Sequence, residues 1–202
     1  VIADLPPTIA FQAPPSASER RALRLAYEAS DDYGITSITA VIRRTDGVTG
    51  PGTMREVDLN LPLPGVDHKQ IKQSSYHDLT PHPWAGLTVE IQLTSRDAIG
   101  QTAVSEKVTT VLPERVFTHP VARAVIEQRK RLIVNSGERL PVSRALFAIA
   151  AQPPTYDDDI VVALGLRIAQ RRLILDRESN AVDSVVALLW ELALRIEEGE
   201  LA

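Results

Sequence analysis

The hydrophobic pattern of this chain changes period once, after Leu112, and that change limits the possible folds more than any single motif. Upstream, short runs such as Leu23–Tyr27 and Ile35–Ile42 alternate apolar and polar residues with period two, as strands with one buried face do. Downstream the period becomes 3.6 and the composition shifts to Ala, Leu, Arg and Glu, as in helices with an apolar stripe. At 202 residues and 44% hydrophobic content the chain has enough apolar material for two cores. The expected fold is β followed by α. Residues 1–112 form an immunoglobulin-like antiparallel β-sandwich, and residues 113–202 form a helical bundle of about four helices.

Turn chemistry divides the first unit. Strands are expected near Thr8–Phe11, Ala22–Ser30, Ile35–Arg44, Arg55–Leu61, Ser74–Asp78, Leu87–Arg96 and Thr102–Val111. In Asp31-Asp32-Tyr33-Gly34, Gly34 supplies a positive φ and the acids accept from turn amides. Ser95–Gln101, with Asp97 and Gly100, repeats the device. Asp46-Gly47 with Gly50-Pro51-Gly52 marks a hairpin loop. Leu79–Gly86 reads as the crossover between the sheets, with Trp84 covering the core. Nine of the 14 prolines fall in this half, as turn-rich β structure requires.

In the second unit Pro120 opens a helix that Asn135-Ser136-Gly137 ends, and Pro141 opens a short one closed by Pro153-Pro154. Thr155-Tyr156-Asp157-Asp158 has the form of a capping box for a third helix, running to about Asp176. Asn180 caps a fourth, which Gly199 ends. The run Ile160–Leu166 and the span from Val182 to Ile196, with Leu188, Trp190 and Leu192, are wider than one narrow stripe. Such a helix either lies at the centre of its own bundle, the favoured reading, or packs on another chain or on a segment outside this sequence.

Composition excludes several classes of function. Residues 1–112 carry 10 Lys and Arg against 13 Asp and Glu (−3), and residues 113–202 carry 12 against 13 (−1). Neither half has the cationic surface that nucleic acid requires. With no cysteine there is no disulfide, thiolate nucleophile or cysteine-bound metal. No apolar run approaches the roughly 18 to 20 residues of a membrane span. The chain starts on Val1 without a signal peptide and reads as a piece of a longer protein.

The most suggestive polar set is Asp31, Asp32 and Asp97. In a seven-strand sandwich their two loops share a pole, joined by the N-terminal segment with Asp4. Converging carboxylates are what Ca²⁺ needs, so these three are a Ca²⁺ candidate, although capping of turn amides is the favoured role and no DxDxDG loop is present. His68, His77, His82 and His119 show no HxH or HExxH spacing, and no serine has a nucleophile setting. A hydrolase would need a cleft between sandwich and bundle lined by His82, His119 and Asp residues. Arg129-Lys130-Arg131 and Arg171-Arg172 read as solvated helix faces.

Asp31-Asp32-Tyr33-Gly34-Ile35, Arg115–Pro120, Glu127–Leu132 and Leu188–Gly199 together resemble the periplasmic region of bacterial inner-membrane proteins in the domain-of-unknown-function 4175 family. The resemblance spans nearly the whole chain. It implies a soluble segment on the periplasmic side of the inner membrane, between membrane helices and a charged tail that lie outside this sequence. It offers no catalytic residues. The functional expectation is a non-enzymatic extracytoplasmic interaction or structural module of a membrane-anchored envelope protein, without a cofactor. A Ca²⁺-binding, cadherin-like spacer is the alternative. Its partners are expected to be proteins, including self-association through the helical unit, with no nucleic acid and with membrane contact only through segments outside the chain.

Overall fold

The computed structural model describes residues 5–47, 55–65, 68–178 and 180–199. Asp4 and the Gly50-Pro51-Gly52 loop therefore lie outside the described residues. The chain divides into two compact units, with the boundary between Arg115 and Val116.

The first unit is a sandwich of seven strands: β1 (Thr8–Ala17), β2 (Leu23–Ser30), β3 (Ile35–Arg44), β4 (Glu56–Leu61), β5 (Gln70–His77), β6 (Thr88–Asp97) and β7 (Thr102–Val111). One sheet has the order β1-β2-β5 and the other β4-β3-β6-β7, with every pairing antiparallel. In a constant-type immunoglobulin domain the fourth strand joins the first sheet; here β4 pairs with β3, so the sheets hold three and four strands. The alternation legible in the sequence sends Leu23, Leu25, Tyr27 and Ala29 of β2 inward, and likewise Val89, Ile91 and Leu93 of β6 in the other sheet. The Tyr27 side chain is fully buried, and its hydroxyl donates to the Pro62 carbonyl beyond β4 at 2.7 Å. One hydrogen bond thus ties the two sheets through the core, and burial raises the Tyr27 pKa.

Two strands depart from expectation. β1 continues through Pro14 and Pro15 to Ala17, because it is an edge strand where a missing N–H is tolerated; its register shifts on either side of Ala13. β5 begins at Gln70 instead of Ser74: in its first half only Ile71 is buried, so the polar residues there hide the period. The β5–β6 crossover brings Trp84 into the core at 3% exposure.

The second unit has four helices: α1 (Pro120–Val134), α2 (Arg139–Ala150), α3 (Ile160–Leu175) and α4 (Ala181–Glu198). Its core runs from Phe117 through Val125, Leu146, Leu166 and Leu189 to Ile196. Trp190 is inside, edge-on to Phe117 with ring centroids 5.6 Å apart, so the broad apolar span of α4 is internal. Gly165 lets α3 approach α4 closely, since a Cβ there would lie 2.5 Å from Leu192 Cδ2.

The helix ends correct one expectation. Thr155–Asp158 do not cap α3; Pro153–Tyr156 form a 3-10 turn, Asp157 and Asp158 are left-handed, and Asp159 is the cap. The Asp159 carboxylate accepts from the N–H groups of Val161 (2.8 Å) and Val162 (3.2 Å) and pairs with Arg195 at 2.5 Å. Tyr156 displaces the capping box, because its buried ring is anchored by a hydroxyl that donates to the Ala150 carbonyl at 3.2 Å. At the other end of the α2–α3 pair, the Arg139 guanidinium donates to the carbonyls of Leu173, Arg172 and Asp176. These carbonyls lie at the C-terminal end of α3 and on its cap residue Asp176, where a helix leaves acceptors for side chains.

Candidate functional site

At one pole of the sandwich, the turn after β2 leads into β3, whose first residue Ile35 pairs with Asp97 at the end of β6. Asp31 continues the inward series of Leu23, Leu25, Tyr27 and Ala29, and Asp97 continues that of Val89, Ile91, Leu93 and Ser95. The two carboxyl groups therefore come from opposite sheets toward the interior, at 9% and 2% exposure. Asp31 Oδ2 accepts from the N–H groups of Tyr33 (3.1 Å) and Gly34 (2.6 Å). Asp97 Oδ1 accepts from those of Ile99 (3.0 Å), Gly100 (2.7 Å) and Gln101 (2.8 Å). Both acids do cap turn amides.

Each also has a second oxygen, Asp31 Oδ1 and Asp97 Oδ2, that is buried and has no hydrogen-bond partner among the described residues. Asp32, the third candidate, is instead exposed. Among the described residues no group of three His, Asp or Glu side chains gathers as a metal site would require. What the pole offers is two buried carboxylates, each with one oxygen bonded to turn amides and one without a partner among the described residues, where burial makes an unmet acceptor costly.

The histidines are held locally. His68 Nε2 lies 3.1 Å from the Gly65 carbonyl and His77 Nε2 lies 3.0 Å from Ser75 Oγ. His82 Nδ1 accepts from the Trp84 N–H at 3.1 Å, and His119 Nδ1 accepts from the Val121 N–H at 3.2 Å as the cap of α1. Burial lowers the pKa of His77.

Arg129 does not lie on a solvated face. It is 4% exposed, donates from Nε to the Val186 carbonyl at 3.1 Å, and stacks 5.0 Å from the centre of the Trp190 ring. Burial lowers its pKa to about 10. The carbonyl and the tryptophan face both contribute to compensating the buried cation.

The largest departure from an ordinary surface is on α2 and α3. Phe147, Ile160, Leu164 and Ile168 are 61%, 73%, 53% and 50% exposed. Buried and exposed apolar residues occur within one run: Val162, Gly165 and Leu166 face the core, while Ile160, Val161 and Leu164 face out. The only charged residues in α3 are Arg167, Arg171 and Arg172, and the exposed Asp157 and Asp158 precede its cap. The length of the apolar run was visible in sequence; its outward half was not, because a run apolar all round carries no phase.

Among the described residues no helix is long and apolar enough to cross a membrane. A family model described as a domain of unknown function, DUF4175, matches residues 1–202, the whole chain. The comparison with curated proteins gave no match.

Proposed function

Since this chain belongs to the DUF4175 family, whose description assigns no reaction, we propose from its own surface that it is a non-enzymatic interaction and structural module of a membrane-anchored envelope protein, held on the periplasmic side of the inner membrane. The observation that carries this reading is the exposed apolar face of α2 and α3, from Phe147 to Ile168. Exposed apolar side chains concentrated on one pair of helices favour a docking site.

A photo-crosslinking residue at Phe147 or Leu164 of the full-length protein in cells should give discrete adducts, and one at Tyr76, exposed singly on the sandwich, should give none. Equal labelling at all three positions, or none at any, would end the interaction reading. For the location, a cysteine at Tyr76 should react with a membrane-impermeant maleimide once the outer membrane is permeabilised; reaction only after inner-membrane lysis would place the chain in the cytoplasm.

A second reading, the Ca²⁺-stiffened spacer, is favoured by the two unpartnered oxygens of Asp31 and Asp97. Binding to the native state raises stability, by about 2.7 kcal/mol at a hundredfold excess over Kd. On this reading the melting temperature of the sandwich rises in millimolar Ca²⁺ and falls with a chelator. An unchanged melting temperature leaves the carboxylates as turn caps alone.

A further inference from the structure

We propose that the outward faces of α2 and α3 take an acidic amphipathic helix of a partner protein, with Arg144, Arg167 and Arg171 as the counter-charges to its carboxylates. The inference rests on the interaction-module reading and gives that partner its chemistry.

Every exposed residue of α2 and α3 is either apolar or arginine. The other two helices differ, since α1 exposes Glu127 and α4 exposes Asp183 and Glu191. Elsewhere cations find acids within the chain, as Arg43 does in Glu56, Lys107 in Glu90 and Arg131 in Glu138. Arg144, Arg167 and Arg171 are exposed and join no ion pair among the described residues. Residues 140, 144 and 147 share one face of α2 by helical spacing, and residues 160, 164, 167, 168 and 171 share one face of α3. The helices pack on each other, and Arg139 at the head of α2 donates to the Leu173 carbonyl near the foot of α3, so the two run antiparallel. Counted from that bond, Arg144 stands within about a turn of Arg167 and Arg171 along the pair, and Phe147 within about a turn of Leu164 and Ile168.

Guanidinium groups set among apolar side chains are matched by carboxylates set among apolar side chains, because arginine pairs bidentately with a carboxylate and is less strongly hydrated than lysine. An amphipathic helix presents that pattern along one side. The charges also separate the possible occupants. Asp157 and Asp158 precede the α3 cap, and Asp176 and Glu178 follow the helix, so the cationic middle has acids beyond both its ends. An anionic lipid surface would press on the acids as well as the arginines, whereas a helix of limited length meets the middle alone. A second copy laid face to face would oppose two surfaces that carry arginines and no acid. Exposed ion pairs contribute little affinity, so the charges select the partner while the apolar side chains supply the contact.

The test uses the 202-residue chain and two labelled amphipathic helical peptides, one of Leu and Glu and the other of Leu and Lys at the same positions. Fluorescence anisotropy should show that the Glu peptide binds and the Lys peptide does not, with an affinity that falls as salt rises. Arg144→Glu, Arg167→Glu and Arg171→Glu together should lower the affinity for the Glu peptide roughly tenfold, leave the melting temperature unchanged and gain binding of the Lys peptide. If that triple variant fails to fold, Arg144→Gln with Arg171→Gln should still weaken the Glu peptide and flatten its salt dependence. Equal binding of the two peptides, no binding of either up to millimolar concentration, or a triple variant with full affinity would overturn the proposal. Co-sedimentation with phosphatidylglycerol vesicles but not phosphatidylcholine vesicles, lost in the triple variant, would give the face to lipid instead. A concentration-dependent dimer that Leu164→Glu abolishes would give it to a second copy. Discrete protein adducts from a photo-crosslinker at Leu164 that persist in the triple variant in cells would remove the acidic partner and leave the interaction module standing.

Discussion

In the sandwich the large exposed apolar side chains, such as Tyr33, Tyr76, Ile99 and Val104, sit singly on separate turns and strands; in the helical unit eight of them lie on α2 and α3. The buried polar groups are distributed the other way. Asp31, Asp97 and Ser95 all lie in the sandwich and leave an oxygen unpartnered, whereas Arg129 of the helical unit has both a carbonyl and an aromatic ring to bond. A sandwich can therefore carry its unspent chemistry inward at a pole, and a small bundle can carry its unspent apolar area outward. The first arrangement suits a small ligand, the second a protein surface.

The strongest way to break this contrast is to hollow the helical core. Trp190→Ala is expected to cost about 3 to 5 kcal/mol in denaturant unfolding, from lost transfer energy and the cavity left beneath Phe117 and Arg129. Loss of self-association with monomer stability unchanged would instead put Trp190 on an outer surface.

Next in size is Asp97→Ala, which strips the acceptor from three amides and should destabilise the sandwich by about 2 to 3 kcal/mol. Asp97→Asn keeps an acceptor oxygen and sharpens the comparison. A near-neutral effect assigns the residue to turn capping, while loss of a Ca²⁺-dependent rise in melting temperature assigns it to cation binding.

Gly34→Val should cost about 1 to 3 kcal/mol, because Gly34 holds φ at +113°, where a β-branched residue is strained. The surrounding space is open, so the cost is conformational and no clash adds to it. Equal stability in urea would mean that the turn relaxes. The smallest expected effect is that of Leu164→Glu, which should change monomer stability by no more than about 0.5 kcal/mol; a larger loss would show that the outer face of α3 belongs to the core.

The two-unit architecture was legible because both periods are long: β6 alternates across ten residues, β3 from Ile38 to Arg43 after its register shift, and α4 keeps its stripe over 18. The turn caps were legible for a local reason, since an Asp followed three residues later by Gly needs only neighbouring amides. The start of α3 was misread because Thr155–Asp158 satisfies the capping-box pattern locally, and the choice of Asp159 depends on the tertiary anchoring of Tyr156. Arg129 was misread for a similar cause: its neighbours Lys130 and Arg131 are only half-buried, and one turn of helix can leave two cations partly in solvent while burying a third. Asp31 and Asp97 keep the inward phase of their strands, so their burial could have been found by extending the alternation past the last apolar residue.

The bonds at the two ends of the α2–α3 pair bear on how such a surface would act. Tyr156 fixes the connection to the Ala150 carbonyl, and Arg139 holds the far end through the last carbonyls of α3. A helix tied at both ends cannot readily fray or slide, so little conformational freedom remains to be lost when a partner arrives. Binding to such a preorganised face keeps more of its contact energy as affinity. Arg139→Ala should accordingly weaken association through entropy, from a position that touches no partner.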